Sequence, residues 1–134
     1  MGSLTIGDVA QRVGVTPEAI RYYERLGVLE EAPRNTAGYR QYSARVVDEL
    51  RLLKAAQALG FSLEDIARIL RLTRQDPIRC RPMCEIVEER IARLDAHIEE
   101  LTSARDRLSA AVAACGDDDV CVVAERLTVS SMSS

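Results

Sequence analysis

The sequence predicts a mainly α protein in two parts, a winged helix-turn-helix followed by a long helix that pairs in a coiled coil. Three observations predict it. Two short capped segments flank a glycine turn between Leu4 and Gly27. The stretch from Arg34 to Tyr42 interleaves basic and aromatic residues around Gly38. From Val87 onward, apolar residues recur at steps of four and three until the series lands on Cys115.

Composition sets the outer bounds. A chain of 134 residues holds one small domain, or a smaller one with an extended arm, and the long seam favours the second. With 29% charged and 47% hydrophobic residues, global disorder is excluded. No apolar run approaches the length of a membrane span. The opening Met1-Gly2-Ser3-Leu4 has neither a basic region nor an apolar core, so a cytoplasmic address is expected. There thiols stay reduced, and the four cysteines are read as metal-binding or redox-sensing rather than as structural disulfides. The net charge of −3 gives no hint of a nucleic-acid partner. Residues 1–45 carry six Arg against five Asp or Glu, so a DNA-binding reading rests on local arrangement.

Thr5 caps the first helix, with Asp8 three residues on and Ile6, Val9, Ala10 and Val13 as its apolar face. Gly14 ends it, and Val15 is a buried turn residue. Thr16-Pro17 is a cap followed by proline at the first helical position. The second helix, Glu18 to Leu26, stops at Gly27. Two capped helices around a glycine turn form the helix-turn-helix pattern, although any small helical hairpin shares it. The contents of the second helix favour DNA. Arg21, Tyr22, Tyr23 and Arg25 crowd it, and Arg and Tyr serve phosphates and base edges. Arg34, Asn35, Gly38, Tyr39, Arg40 and Tyr42 then read as a hairpin wing on the DNA backbone. A solvated hairpin with core-packing tyrosines accounts for one or two of these residues, not for all.

Ser43 caps a third helix, Ala44 to Leu59, with Val46, Leu50, Leu53 and Ala56 inward. Ser62 caps a fourth, Leu63 to Leu72, with Ile66, Ile69 and Leu70 apolar. Thr73 to Arg79 is a loop broken by Pro77. The long helix follows, with Pro82 in its first turn and Gly116 as its stop. Its seam is Val87, Ile91, Leu94, Ile98, Leu101, Leu108 and Val112, and Arg105 alone breaks the series. A seam this narrow needs a partner helix. Cys80 and Cys115 are 35 residues apart, so roughly 50 Å separates them on one helix. One chain therefore cannot bring them to one ion. In an antiparallel dimer, Cys80 of one subunit approaches Cys115 of its mate, twice per dimer. A short acidic loop, Gly116 to Val120, precedes Cys121. Val122 to Leu127 is expected as one helical turn, and Thr128 to Ser134 as a frayed tail.

Three stretches, "LTIGDVAQRVGVTPEAIRYYERLGVL", "GYRQYS" and "LGFSLEDIARIL", resemble the MerR family of bacterial transcriptional regulators. The resemblance runs from Leu4 to about Val123. It implies a winged helix-turn-helix DNA-binding domain with coupling helices (residues 1–72) and a linker with a long antiparallel coiled-coil dimerisation helix (73–114). A metal-binding loop and tail (115–134) complete the chain. It further implies a homodimer on palindromic double-stranded promoter DNA, whose deformation lets RNA polymerase engage two over-spaced promoter elements. Thr16, Arg21, Tyr22, Tyr23, Arg34, Asn35, Gly38, Tyr39, Arg40 and Tyr42 form the candidate DNA surface.

Cys115 and Cys121 flank a loop short enough to bring both sulfurs to one ion, and Cys80 of the other subunit is the candidate third ligand. The resemblance supports this, because the Cys80–Cys115 spacing is that of members sensing divalent metals. In copper(I)-sensing members, serine stands at the position of Cys80 and two loop cysteines hold the ion. The Gly116-Asp117-Asp118 sequence resembles those copper sensors, so the two cues disagree. The cysteine at position 80 decides here, since a third thiolate changes coordination number. Three thiolates select a soft ion such as mercury, cadmium, lead or zinc, and Arg79, Arg81 and the helix N-terminus are expected to lower the thiol pKa values. Cys84 shares a helix face with Cys80 and is either a fourth ligand or a small packing residue. His97 is remote from the cysteines. Structural zinc, a cysteine-based metal buffer and a copper(I), silver or gold sensor are the rivals. An enzyme is disfavoured, as no base or nucleophile constellation stands away from the cysteines.

Overall fold

The computed structural model describes residues 3–115 and 121–132. Its elements are α1 (Ile6–Val13), α2 (Pro17–Arg25), α3 (Ala44–Ala58), α4 (Leu63–Thr73), α5 (Cys80–Cys115) and α6 (Val123–Met132). The chain divides between Arg90 and Ile91 into two units.

The first unit begins with side-chain caps. The Thr5 hydroxyl accepts the Asp8 amide at 3.1 Å, and the Asp8 carboxylate accepts the Thr5 amide at 3.0 Å. This reciprocal box satisfies two amides that the first helical turn leaves open. The Thr5 amide, and then its hydroxyl, hold the Asp8 carboxyl below its usual range. Thr16 caps α2 through the Ala19 amide at 3.1 Å, with Pro17 following. Ser62 caps α4 in the same way through the Asp65 amide.

These helices close one core. α1 contributes Val9, Ala10 and Val13, α2 contributes Ile20, and α3 contributes Val47, Leu50, Leu53 and Ala56. Ile66 and Leu70 of α4 complete it, with Val28, Leu29, Ala32 and Tyr42 from the intervening segment. Each fully buried Leu or Ile contributes about 1.5–3 kcal/mol relative to exposure. On α3, Leu50, Leu53 and Ala56 face inward as expected, and only the first expected position differs. Val47 is buried, whereas Val46 is half-buried at the edge.

Between α2 and α3 the wing forms through single bridges rather than a named strand. Arg34 pairs with Arg40, and Leu4 pairs with Tyr42 through two backbone hydrogen bonds of 2.8 and 2.9 Å. Gly38 turns the tip at a φ of 87°, which a side chain would strain.

Before α5 passes Arg90, three ties hold it to the rest of the first unit. Ile86 is buried, Arg68 reaches Glu89 at 3.5 Å, and the Arg90 guanidinium donates to the Leu59 carbonyl at 2.9 Å. Gly60 makes room for that guanidinium, since a Cβ there would collide with it.

The second unit holds the rest of α5 and α6. From Ile91 to Ala114, Ala111 alone is buried, and the expected seam lies open to solvent. α6 extends to Met132, so the segment expected to fray after Leu127 is helical through that residue. Its Thr128 hydroxyl bonds back to the Ala124 carbonyl at 2.9 Å, which continues the turn. The acidic loop from 116 to 120 lies outside the described residues.

Candidate nucleic-acid interface and thiol sites

α2 and the wing face each other across a cleft of about 350 Å³ lined by Thr5, Ile6, Arg21, Arg34, Gly38, Tyr39 and Arg40. Three arginines line it, and no acidic residue is among its lining. Arg40 Nε is buried and has no hydrogen-bond partner among the described residues. Such a cleft suits a phosphate oxygen, because guanidinium donors give short charge-assisted bonds to anions.

The expected DNA-binding residues divide into those that present atoms outward and those that hold the surface in shape. Tyr39 stands 72% exposed at the wing, and Tyr22 and Arg21 are exposed on α2. Tyr23 is half-buried against the core, its ring 5.8 Å from that of Tyr22. Thr16 is exposed, with its hydroxyl committed to the α2 cap. Asn35 shapes the wing, since its side-chain oxygen accepts the Ala37 and Tyr39 amides at 3.0 Å each. Arg34 braces the same tip by donating to the Gly38 carbonyl at 2.8 Å.

Tyr42 departs from the surface reading. It is 2% exposed, and its hydroxyl donates to Glu24 at 2.6 Å. Burial, and then the Glu24 carboxylate, push its phenol up to about 12. Glu24 is the residue that sequence reasoning missed. Its carboxylate also accepts the Ala32 amide at 3.3 Å and lies 3.5 Å from Arg40 Nη1. One nearly buried acid thus ties α2 to both sides of the wing base. A lone acid within the basic run Arg21 to Arg25 was the only available signal.

A second buried acid, Glu49 of α3, accepts Arg74 in a two-pronged pair at 3.0 and 3.2 Å. Arg74 also lies 3.7 Å from Glu30 and caps α4 just before the linker to α5.

Each of the two units holds two of the cysteines. Cys80 and Cys84 begin α5 in the first unit, with sulfurs 3.4 Å apart. Cys115 ends α5, and Cys121 precedes α6, in the second unit. Cys80 and Cys121 are exposed, and Cys84 and Cys115 are partly so. Among the described residues of a single chain, no three Cys, His, Asp or Glu side chains gather for an ion. The expected lowering of thiol pKa does not extend to Cys84. Its hydrogen bond to Cys80 raises it, and the opposing effect of Arg81 is smaller. His97 lies 3.8 Å from Glu100 on α5.

A capped helix pair, a wing braced to its second helix, and a long helix with an open apolar seam define a winged helix-turn-helix protein with a helical arm. The family described as "MerR HTH family regulatory protein" matches residues 4–73, and "MerR, DNA binding" matches residues 47–111. The chain belongs to the MerR family of transcriptional regulators. It is 42% identical over 96 residues to the mercuric resistance operon regulatory protein of Bacillus cereus, covering 72% of this chain and 73% of that one. It is 36% identical over 127 residues to the HTH-type transcriptional regulator CueR of Escherichia coli, covering 93% and 94%. Among solved structures, it resembles the dual function transcriptional regulator MerR from Bacillus megaterium in complex with mercury(II). That match has a TM-score of 0.68 and 32% identity, covering 90% and 95% of the two chains.

Proposed function

We propose that two chains pair antiparallel through α5 and that the dimer is a transcriptional regulator responding to a soft divalent metal. The observation that carries this reading is the open seam itself. Ile91, Ile98, Leu101, Leu108 and Val112 are all more than half exposed on a helix with cysteines at both ends. An apolar stripe of this length needs a second helix. In the antiparallel pair, Cys80 of one chain joins Cys115 and Cys121 of the other, and two equal three-thiol sites result. The donor set fits a soft ion such as mercury, cadmium, lead or zinc. A mercury-regulating relative and a mercury-bound structural relative support that class.

The rest of the chain then acts as reader and coupling. Arg21, Tyr22 and Tyr39 contact promoter DNA, and Arg34 and Arg40 neutralise phosphates across the cleft. Glu24 keeps wing and helix in fixed register. Arg68, Arg90 and Ile86 pass a shift at the start of α5 to α3 and α4. The two readers then change their separation on a palindromic site, and the DNA between them twists toward a form RNA polymerase uses.

A second reading follows from Gly116-Asp117-Asp118, which resembles the loop of copper(I)-sensing members. There Cys115 and Cys121 alone hold a copper(I), silver or gold ion. Promoter-specific transcription by purified polymerase, with and without each metal, tests the function. A divalent response that disappears in Cys80→Ser supports the three-thiol site. Full divalent silence with a copper(I) response that survives Cys80→Ser supports the two-thiol alternative. Metal uptake without any change in transcription points to a buffer or structural zinc protein.

A further inference from the structure

Cys80 and Cys84 stand one turn apart on α5 with their sulfurs 3.4 Å apart. The family reading uses Cys80 alone. We propose that Cys80 and Cys84 form a bidentate dithiolate within one chain, and that this pair takes a soft divalent ion at a bent angle, as tetrahedral cadmium(II) or zinc(II) requires.

Distance selects the ion. With zinc–sulfur bonds of about 2.3 Å, a tetrahedral ion holds two sulfurs about 3.8 Å apart and a linear arrangement about 4.6 Å apart, and the longer bonds of tetrahedral cadmium(II) give a separation between the two. From 3.4 Å, the tetrahedral separation needs only a small side-chain rotation. The linear separation needs a wider opening, while the helix fixes both Cβ atoms one turn apart. The pair therefore favours bent over linear coordination. On binding, both thiol protons pass to solvent, and two thiolates neutralise the divalent ion. Access is open, since Cys80 is exposed and Cys84 partly so.

Two positions on the ion remain after the pair has bound. Water fills them in a single chain. Cys115 and Cys121 of the mate would fill them in the dimer and turn a three-sulfur site into a four-sulfur one. That last step rests on the cross-subunit reading, and the dithiolate does not. Cys84 is then the residue that sets preference among divalent ions.

The test uses the full chain carrying Cys115→Ser and Cys121→Ser, reduced and titrated with cadmium(II) without oxygen. Thiolate-to-cadmium absorption should saturate at one ion per chain, with both remaining thiols protected from alkylation. Adding Cys84→Ser should weaken cadmium binding at least tenfold and leave the last thiol reactive. In the otherwise native chain, Cys84→Ser should weaken cadmium(II) more than mercury(II). Absence of the absorption in the double variant overturns the proposal, as does a Cys84→Ser variant that binds cadmium equally well. If serine disturbs the helix end, seen as lost helicity, the Cys115→Ala and Cys121→Ala pair carries the same test. Failure of the cross-subunit reading shows separately, as equal cadmium affinity in the native chain and the double variant.

Discussion

In the first unit, Val9, Ile20, Leu50, Leu53, Ile66 and Leu70 are closed off from water. Along α5 beyond Arg90, the seam residues Ile91, Leu94, Ile98, Leu101, Leu108 and Val112 are all at least 38% exposed. Both regions are helical and both carry a regular apolar pattern. The first folds its pattern against itself, with caps and buried acids holding the corners. Among the described residues of the second, nothing covers the stripe. The N-terminal unit therefore closes its own core, while the arm, in the proposed dimer, supplies one half of an interface.

The largest effect should come from the open stripe. Ile98→Glu places a charge in the paired seam of both subunits. Leaving a buried charge unpaired costs about 3–5 kcal/mol, and here it occurs twice. Sedimentation should find a monomer with the winged unit still folded. A dimer at the native concentration dependence would remove the coiled-coil assignment.

Leu50→Ala tests the closed side of the comparison. Leu50 is fully buried, and truncation should cost roughly 2–5 kcal/mol of unfolding free energy. Denaturant melts should show this loss. Leu101→Ala, half exposed in a single chain, should instead weaken dimerisation and leave the melt of the isolated winged unit unchanged.

Glu24 sharpens the boundary between core and reading surface. Glu24→Ala leaves the Tyr42 hydroxyl and the Ala32 amide without their acceptor, and each unsatisfied buried group costs about 1–3 kcal/mol. Operator affinity should fall along with stability, because the wing loses its tie to α2. The Tyr42 phenol is raised from an ordinary value near 10.0 to about 12. The folded state thus holds the proton more tightly than the unfolded state. Its contribution is fully present below pH 10 and disappears as pH rises toward 12. Tyr42→Phe should flatten that part of the stability profile. An unchanged slope would show that Tyr42 ionises without cost.

The smallest effect belongs to the outward residues. Arg21→Ala and Tyr39→Phe should each cost roughly 1–3 kcal/mol of operator binding or less, without a change in metal affinity. Normal operator binding by both would move the reading surface elsewhere.

How much of this was legible in the sequence follows the range of the interactions. Thr5 and Thr16 announce their helices because a cap acts within three residues. The seam was legible because a heptad repeats one geometric instruction many times. Tyr42 was misjudged as a surface residue because its partner lies 18 positions away on another element. Alternation of aromatic and basic residues does not say which aromatic turns inward. Val46 and Val47 are adjacent β-branched residues, and only the neighbouring helices choose between them. The helix beyond Leu127 was missed since Ser and Thr carry weak helix propensity on their own.

In the proposed dimer, each metal site takes Cys80 from one chain and Cys115 with Cys121 from the other. The most direct measurement is mercury(II) binding by mixed dimers, in a Cys84→Ser background that removes the helix pair. One chain carries Cys80→Ser and the other Cys115→Ser. Each homodimer should lack the three-thiolate absorption and the transcriptional response. The mixed dimer should regain one complete site, because its intact Cys80 faces the intact Cys115 and Cys121 of its mate. Binding of one mercury(II) per mixed dimer with the three-thiolate absorption is the predicted result. A mixed dimer as inert as its parents would contradict the cross-subunit site.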